Sequence, residues 1–297
     1  MNSGTVPILS VRNLSVRSAD GGRMILKDVS FDIRSGEILA LVGESGSGKS
    51  MTANAIIGLM PPGIKVVQGQ LIFQGQDLLQ QHAKQRRKLA GRSIGYVFQD
   101  YRGSFAPFRT IGSQLMDAIR AHRAYTRKAC KKMVLEHLDK VGLPAERIFS
   151  SYSFQLSGGQ LQRAALSAVL MLEPELLIAD EPTTALDVIS GENVLDLMQD
   201  IQGQTGCAIL LISHDLQMVL KRANHVTVMK EGQIVEQNTA SDIRMKAKHP
   251  YTLKLLDSCP KMPVKDDVED DKSTGDAEDQ ERGDTVERSD RELVKHG

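Results

Sequence analysis

An α/β fold with a parallel sheet is predicted by three observations. Residues 37–42 form a short apolar strand that runs straight into a glycine-rich loop and then a helix. Strand, helix and strand recur at 176–179, 192–202 and 208–212. The strand 176–179 ends on two adjacent acids, Asp180 and Glu181, where a buried strand reaches the carboxyl edge of its sheet.

Each element has its own warrant. Residues 8–16 and 28–33 alternate apolar and polar side chains as half-buried strands do, with a Gly21-Gly22 turn between them. After the glycine loop, residues 50–60 read as a helix stopped by Pro61-Pro62-Gly63. Residues 94–98 add a strand. From 110 to about 142 the spacing is helical, with Leu115, Met116 and Ile119, then Val134, Leu135, Leu138 and Val141. A helix over 160–172 ends at Glu173-Pro174. The last strands, 226–229 and 234–236, flank a tight turn at Glu231-Gly232. The helix-rich stretch 100–170 interrupts the strand–helix rhythm and is expected to be an inserted subdomain. The motif set occurs once, without an internal repeat.

At 297 residues the chain has ample length to bury a core. Its formal net charge is zero, but the charges are unevenly spread: 13 acidic and 6 basic residues from Val264 onward, against 24 acidic and 31 basic before it. The reading is a folded domain over 1–258 and an acidic tail over 259–297 with no Phe, Tyr or Trp, expected to be disordered. Cys130, Cys207 and Cys259 are widely separated and form no C-x-x-C pair, which argues against a disulfide framework and a four-cysteine metal site. The N-terminus lacks the basic and apolar regions of a signal peptide, and no apolar run approaches the roughly 20 residues needed to cross a bilayer. Any membrane part must come from another chain. The mildly basic body suits nucleotide phosphates or an anionic membrane surface, or is ordinary surface charge, and no nucleic-acid partner is expected.

The segment Gly43-Glu44-Ser45-Gly46-Ser47-Gly48-Lys49-Ser50 fits the phosphate-loop pattern G-x-x-x-x-G-K-[ST] in its required strand–loop–helix context. A triphosphate is crowded with negative charge, so backbone N–H groups must approach it closely. Gly43, Gly46 and Gly48 permit that approach, and the helix that follows directs its positive end at the phosphates. Lys49 is expected to reach the β and γ phosphates and Ser50 to ligate Mg²⁺. The nucleotide-contact set is taken to run from Gly43 through Met51. Asp180 is expected to hold Mg²⁺, and Glu181, pointing differently, to act as base or water positioner for in-line attack on the γ phosphate of ATP.

Between these motifs stands Leu156-Ser157-Gly158-Gly159-Gln160, followed by Gln162-Arg163 and by Asp180-Glu181-Pro182-Thr183-Thr184-Ala185-Leu186-Asp187. Together they resemble the ATP-binding cassette (ABC) ATPases. The resemblance implies a P-loop NTPase with a RecA-like parallel core, an N-terminal antiparallel β subdomain and an inserted helical subdomain. It makes Ser157, Gly158, Gly159 and Gln160 a second anion site, facing the γ phosphate held by another subunit. Two ATPase chains, identical or paralogous, would then pack head to tail, with Asp187 touching the opposing chain. It further implies that Gln99 contacts Mg²⁺ and senses the transporter, and that His214 reaches the γ phosphate. One departure is evident: the stretch Val16-Arg17-Ser18 lacks the aromatic on which such ATPases stack adenine. Weaker discrimination between ATP and GTP is expected, unless Arg17 covers the ring.

Lys248-His249-Pro250-Tyr251-Thr252, followed by Leu255-Leu256, is similar to a segment of the oligopeptide, dipeptide and nickel importer ATPases. Ser104-Phe105-Ala106-Pro107 looks more like the nickel and metal-chelate branch. The implied function is an ATP-hydrolysing subunit at the cytoplasmic face of the cell membrane. Its partners would be two transmembrane permease subunits and, indirectly, an extracellular substrate-binding protein. Phe105 and Phe108 would either contact the permease or pack within the helical subdomain. The rival reading is a non-transport cassette that uses ATP as a mechanical clamp.

Overall fold

The computed structural model describes residues 6–101, 103–184 and 186–257. The tail 259–297, with Cys259, lies outside them. Two sheets organise the chain. In the first, β1 (Leu9–Ser18) and β2 (Met24–Ile33) pair antiparallel, and the central sheet begins with β3 (Ile38–Val42), which leads into α1 (Lys49–Ile57). The first sheet is completed by β4 (Ile64–Phe73) and the two-residue β5 (Gln76–Asp77), giving the order β2-β1-β4-β5. Sequence patterning does not find β4, and the reason is local. β1 bulges between Arg12 and Ser15 opposite it, and Asn13 takes a positive φ of 49°. Gly69 meets that bulge with φ 113°; a Cβ there would lie 2.7 Å from the Arg12 carbonyl oxygen. The alternation therefore slips mid-strand.

The chain continues through α2 (Ala83–Leu89), β6 (Ile94–Val97), α3 (Ile111–His122), α4 (Arg127–Lys140), α5 (Ala145–Ser150) and α6 (Gly158–Leu170). It then runs β7 (Leu176–Asp180), α7 (Val188–Thr205), β8 (Ala208–Ser213), α8 (Leu216–Leu220), β9 (His225–Lys230), β10 (Gln233–Thr239), α9 (Ala240–Lys246) and α10 (Pro250–Asp257). The central sheet has the order β10-β9-β3-β8-β7-β6, parallel from β9 to β6 with β10 antiparallel at the edge. It is an α/β fold with a separate antiparallel sheet, as the sequence predicts.

Period-two alternation builds a core on each face of the central sheet. Ile38, Ala40 and Val42 of β3 face one layer, with Leu177, Ala179, Ile209 and Leu211. Leu39 and Leu41 face the other, with Leu176, Ile178, Leu210 and Ile212. The first layer is covered by α6, α7 and the helical insert; the second by α1 and the antiparallel sheet. Because both faces are covered, these strands read as unbroken apolar runs.

Several boundaries differ from the sequence reading: β2 begins at Met24, α7 spans Val188–Thr205 and β10 extends to Thr239. The helix after the loop stops at Gly58 (φ 82°), whose N–H bonds to Asn54 O, three residues before Pro61. The helical stretch 110–142 divides into α3 and α4, because Thr126 accepts from the Ala129 N–H and caps a new start. Among the described residues, no helix is long and apolar enough to cross a membrane.

Candidate active site

The site forms where β3, β7, β8 and β6 end at one edge of the sheet. The loop after β3 carries glycine at the positions its backbone demands. Gly48 takes φ 106° and caps α1 without a side-chain hydrogen bond, leaving the first N–H groups of that helix pointing into the loop. Gly46 takes φ 80°, and a Cβ there would enter open space, so backbone rather than packing selects glycine. The Ser47 hydroxyl is buried with no hydrogen-bond partner among the described residues. Ser45 is exposed, and Met51 packs inward against the second core layer.

Lys49 lies across the loop with only 5% of its surface exposed. Its Nζ donates to Gly43 O at 2.7 Å and Glu44 O at 3.0 Å, and stands 3.9 Å from Glu181 Oε1. Burial lowers its pKa, against the pull of Glu181 and Asp180. Ser50, the next residue, donates its hydroxyl to Asp180 Oδ1 at 3.0 Å. The second oxygen, Oδ2, accepts from Tyr96 OH at 3.0 Å. Burial raises the Asp180 pKa, with those two hydrogen bonds opposing it. The same burial, with the Asp180 charge, pushes the Tyr96 phenol upward.

Glu181 leaves the strand in the left-handed region, φ 50°, which turns its side chain away from that of Asp180. Its N–H is held by Ile212 O at 3.0 Å. The two carboxylate oxygens divide their work. Oε2 accepts from Thr184 Oγ1 at 2.9 Å and meets His214 Nδ1 at 2.5 Å. Oε1 is left toward Lys49. A carboxylate on Nδ1 assigns that nitrogen the proton.

The phosphate loop, Asp180, Glu181 and His214 thus come together in one chain. The other residues stand elsewhere. Ser157 is exposed and caps α6 in a box with Gln160: its hydroxyl accepts from Gln160 N, and Gln160 Oε1 accepts from Ser157 N. Gly158 and Gly159 form the first turn of that helix, and a Cβ on Gly159 would lie 3.3 Å from Ser190 Oγ. Asp187 caps α7 by accepting from Ser190 N and Oγ, and these hydrogen bonds lower its pKa. Gln99 is exposed just after β6, while the described contacts of Asp180 come from Ser50 and Tyr96.

Three further residues shape the site without a role assigned from the sequence, although Gln162 and Tyr251 stand in segments quoted above. Tyr96 carries no motif, yet it sits on β6 opposite Ile178 and reaches Asp180. Gln162, fully buried, donates to Pro182 O at 2.7 Å and ties α6 to the loop after Glu181. Tyr251, from the far end of the chain, accepts a hydrogen bond from the Glu44 N–H at 2.8 Å. Its only sequence signal is its place in Lys248-His249-Pro250-Tyr251-Thr252.

Hard oxygen donors at Ser50 and Asp180, side by side at the mouth of the loop, fit a magnesium ion that takes its other ligands from phosphate and water. The buried, unpartnered Ser47 hydroxyl fits a loop shaped for an anion.

Comparison with known proteins supplies the family and the fold. The ABC transporter family matches residues 26–184. The dipeptide transport ATP-binding protein DppD of Bacillus subtilis (strain 168) is 42% identical over 262 residues, covering 86% of this chain and 78% of that protein. The metal-staphylopine import system ATP-binding protein CntD of Staphylococcus aureus (strain Mu50 / ATCC 700699) is 39% identical over 250 residues, covering 84% and 92%. Among solved structures, the dimeric cassette MJ0796 in a post-hydrolysis state bound to ADP and Pi superposes with a TM-score of 0.69 at 26% identity, covering 78% of this chain and 98% of that one. A phosphate loop, a strand ending in two acids and an intervening Ser-Gly-Gly helix start, matched over this length, make the chain a member of the ABC transporter family and one of its ATP-hydrolysing cassettes.

Proposed function

We propose that this chain energises a bacterial importer of peptides or metal chelates from the cytoplasmic face of the membrane, within a cassette from about residue 1 to 258. The relatives named for dipeptide and metal-staphylopine transport support both cargo classes. The observation that carries the mechanism is the Lys49–Glu181 approach of 3.9 Å at the strand edge, with Ser50 and Asp180 beside it.

Lys49 Nζ donates to two loop carbonyls, those of Gly43 and Glu44. An arriving triphosphate offers Lys49 stronger acceptors, and the loop N–H groups and the start of α1 receive the remaining charge. Ser50 and Asp180, with Gln99 as the resemblance implies, would hold Mg²⁺, which would supply charge neutralisation at the phosphate oxygens. Glu181 Oε1 takes the proton from the attacking water, because Oε2 is already occupied by Thr184 and His214. His214 then holds Glu181 in place and offers its other edge to the γ phosphate.

Ser157, Gly158, Gly159 and Gln160 complete the site of a second ATPase chain, and Asp187 lies at the contact between them. Dimeric cassettes among the structural neighbours support that arrangement. Closure of the pair is passed to two permease subunits, which receive cargo from an extracellular binding protein. A groove of about 210 Å³ beside Phe98, Tyr101, Gln114 and Ala165 is the proposed permease contact. Phe105 is 7% exposed and packs within the helical subdomain, while Phe108 is 89% exposed and remains available to a partner.

The test is Glu181→Gln in the purified chain. ATP binding should persist while turnover falls by about 100-fold or more, as expected for loss of a positioned base. Hydrolysis at the wild-type rate would remove Glu181 from the mechanism.

A further inference from the structure

The C-terminal segment touches the phosphate loop in a way that neither the family match, which ends at residue 184, nor the loop motif accounts for. Peptide planarity makes the contact informative. The Gly43 carbonyl and the Glu44 N–H belong to one trans peptide and point in opposite directions. Lys49 Nζ holds the carbonyl end at 2.7 Å, and Tyr251 OH holds the N–H end at 2.8 Å. The plane is fixed from both sides.

Tyr251 is itself fixed. It is 6% exposed, and the Lys230 ammonium lies 5.3 Å from its ring centroid. Its own N–H donates to His249 Nδ1 at 3.2 Å. The turn before α10 is bound to β10, where Glu236 accepts from the N–H groups of Lys248 at 2.7 Å and His249 at 3.2 Å. The β9–β10 turn braces the same loop a second time, through Gly232 N–H to Ser47 O at 3.0 Å. Lys254, one turn after Tyr251, stands 3.9 Å from Glu44 Oε1.

We infer that Tyr251 is a positioning residue for nucleotide binding, its hydroxyl holding the Gly43–Glu44 peptide in the orientation that receives the triphosphate, so that α10 and the nucleotide are energetically coupled. The inference rests on the phosphate-loop reading above. When Lys49 turns from the Gly43 and Glu44 carbonyls to phosphate, the Tyr251 hydroxyl becomes the remaining restraint on that plane. The ordering of the loop then no longer has to be supplied by the ligand. Coupling of this kind is reciprocal: whatever α10 contributes to nucleotide affinity, nucleotide returns to the stability of α10.

The test compares wild type, Tyr251→Phe and Glu236→Gln in the full chain. Equilibrium binding of Mg-ATP, steady-state ATPase rates and hydrogen exchange of residues 250–257 with and without nucleotide are the readouts. Phe keeps the ring and the Lys230 contact and removes one hydroxyl. Its ATP affinity should fall about fivefold, the factor that ~1 kcal/mol for one neutral hydrogen bond represents, with kcat changed less than twofold. Protection of α10 by nucleotide should be present in wild type and lost in Tyr251→Phe. Glu236→Gln, which loosens the turn and not the tyrosine, should shift affinity the same way. Unchanged affinity in Tyr251→Phe, or a fall in kcat and thermal stability with affinity intact, would overturn the inference. Absence of ATP binding in wild type would instead reject the phosphate-loop reading, so the two failures are distinguishable.

Discussion

Asp180 has 6% of its surface exposed, and burial raises its pKa above the usual carboxylate range even though Ser50 and Tyr96 both donate to it. A folded-state pKa above the unfolded value means that the native protein holds the proton more tightly. Stability is therefore lost as pH rises from about 3.9, the ordinary aspartate value, through the raised folded value, and it stays lost at neutral pH. Asp180→Asn removes that burden. It should raise the Tm of the nucleotide-free protein, while Mg²⁺-dependent hydrolysis collapses. Calorimetry beside an ATPase assay checks both; a lower Tm would mean that the carboxylate is stabilising where it stands. Lys49 shows the same tension, a buried ammonium whose pKa is pulled down by desolvation. Lys49→Ala should lose triphosphate affinity and turnover together. Where the family resemblance places an adenine-stacking aromatic, Ser18 closes β1, and Arg17 beside it is exposed. ATP should be favoured over GTP by about fivefold less than in relatives that keep the aromatic, the factor that ~1 kcal/mol of stacking represents. An ATP preference as strong as theirs in competition binding would point to another adenine contact.

At the scale of elements, α1 is the helix on which the site depends, and its far end is closed from outside. Arg86 on α2 donates through Nη2 to Ala55 O at 2.8 Å and Ile56 O at 3.4 Å, meeting carbonyls that the helix itself cannot satisfy. Arg86→Met should cost about 1–2 kcal/mol of stability in a denaturant titration, the range for losing a charged hydrogen bond at a helix end, with catalysis per folded molecule intact. No change in the midpoint would show that water replaces the guanidinium. Helix α2 was not legible in the sequence: its seven residues hold four of the basic side chains and none that is buried, so periodicity has nothing to register. The strands β3, β7 and β8 were legible for the opposite reason, being apolar on both faces. The strand β4 fell between these cases because a bulge in its neighbour breaks the alternation. At the site, the loop, Asp180 and Glu181 could be named because a phosphate loop and strand-end acids carry fixed spacings, whereas His214 was named only through the family resemblance. Tyr96 and Tyr251 could not be placed, because their roles come from β6 lying beside β7 and from a C-terminal helix folding back over 200 residues.

For the molecule as a whole, the arrangement of the anion-binding elements decides the account. Lys49, Ser50, Asp180, Glu181 and His214 converge at one edge of the sheet, whereas Ser157 stands exposed at the start of α6, bonded to Gln160. In the proposed arrangement this Ser-Gly-Gly helix start serves the site of a second chain. Fold comparison with dimeric cassettes favours the same organisation. The most direct measurement is the ATPase rate per chain over a wide concentration series, for wild type and for Ser157→Arg, with the second ATPase of the system added if it is a paralogue. The account predicts a rate per chain that climbs with concentration as two cassettes associate, and that collapses in Ser157→Arg although its phosphate loop is intact. A rate per chain that stays constant down to the monomer, with Ser157→Arg as fast as wild type, would contradict it.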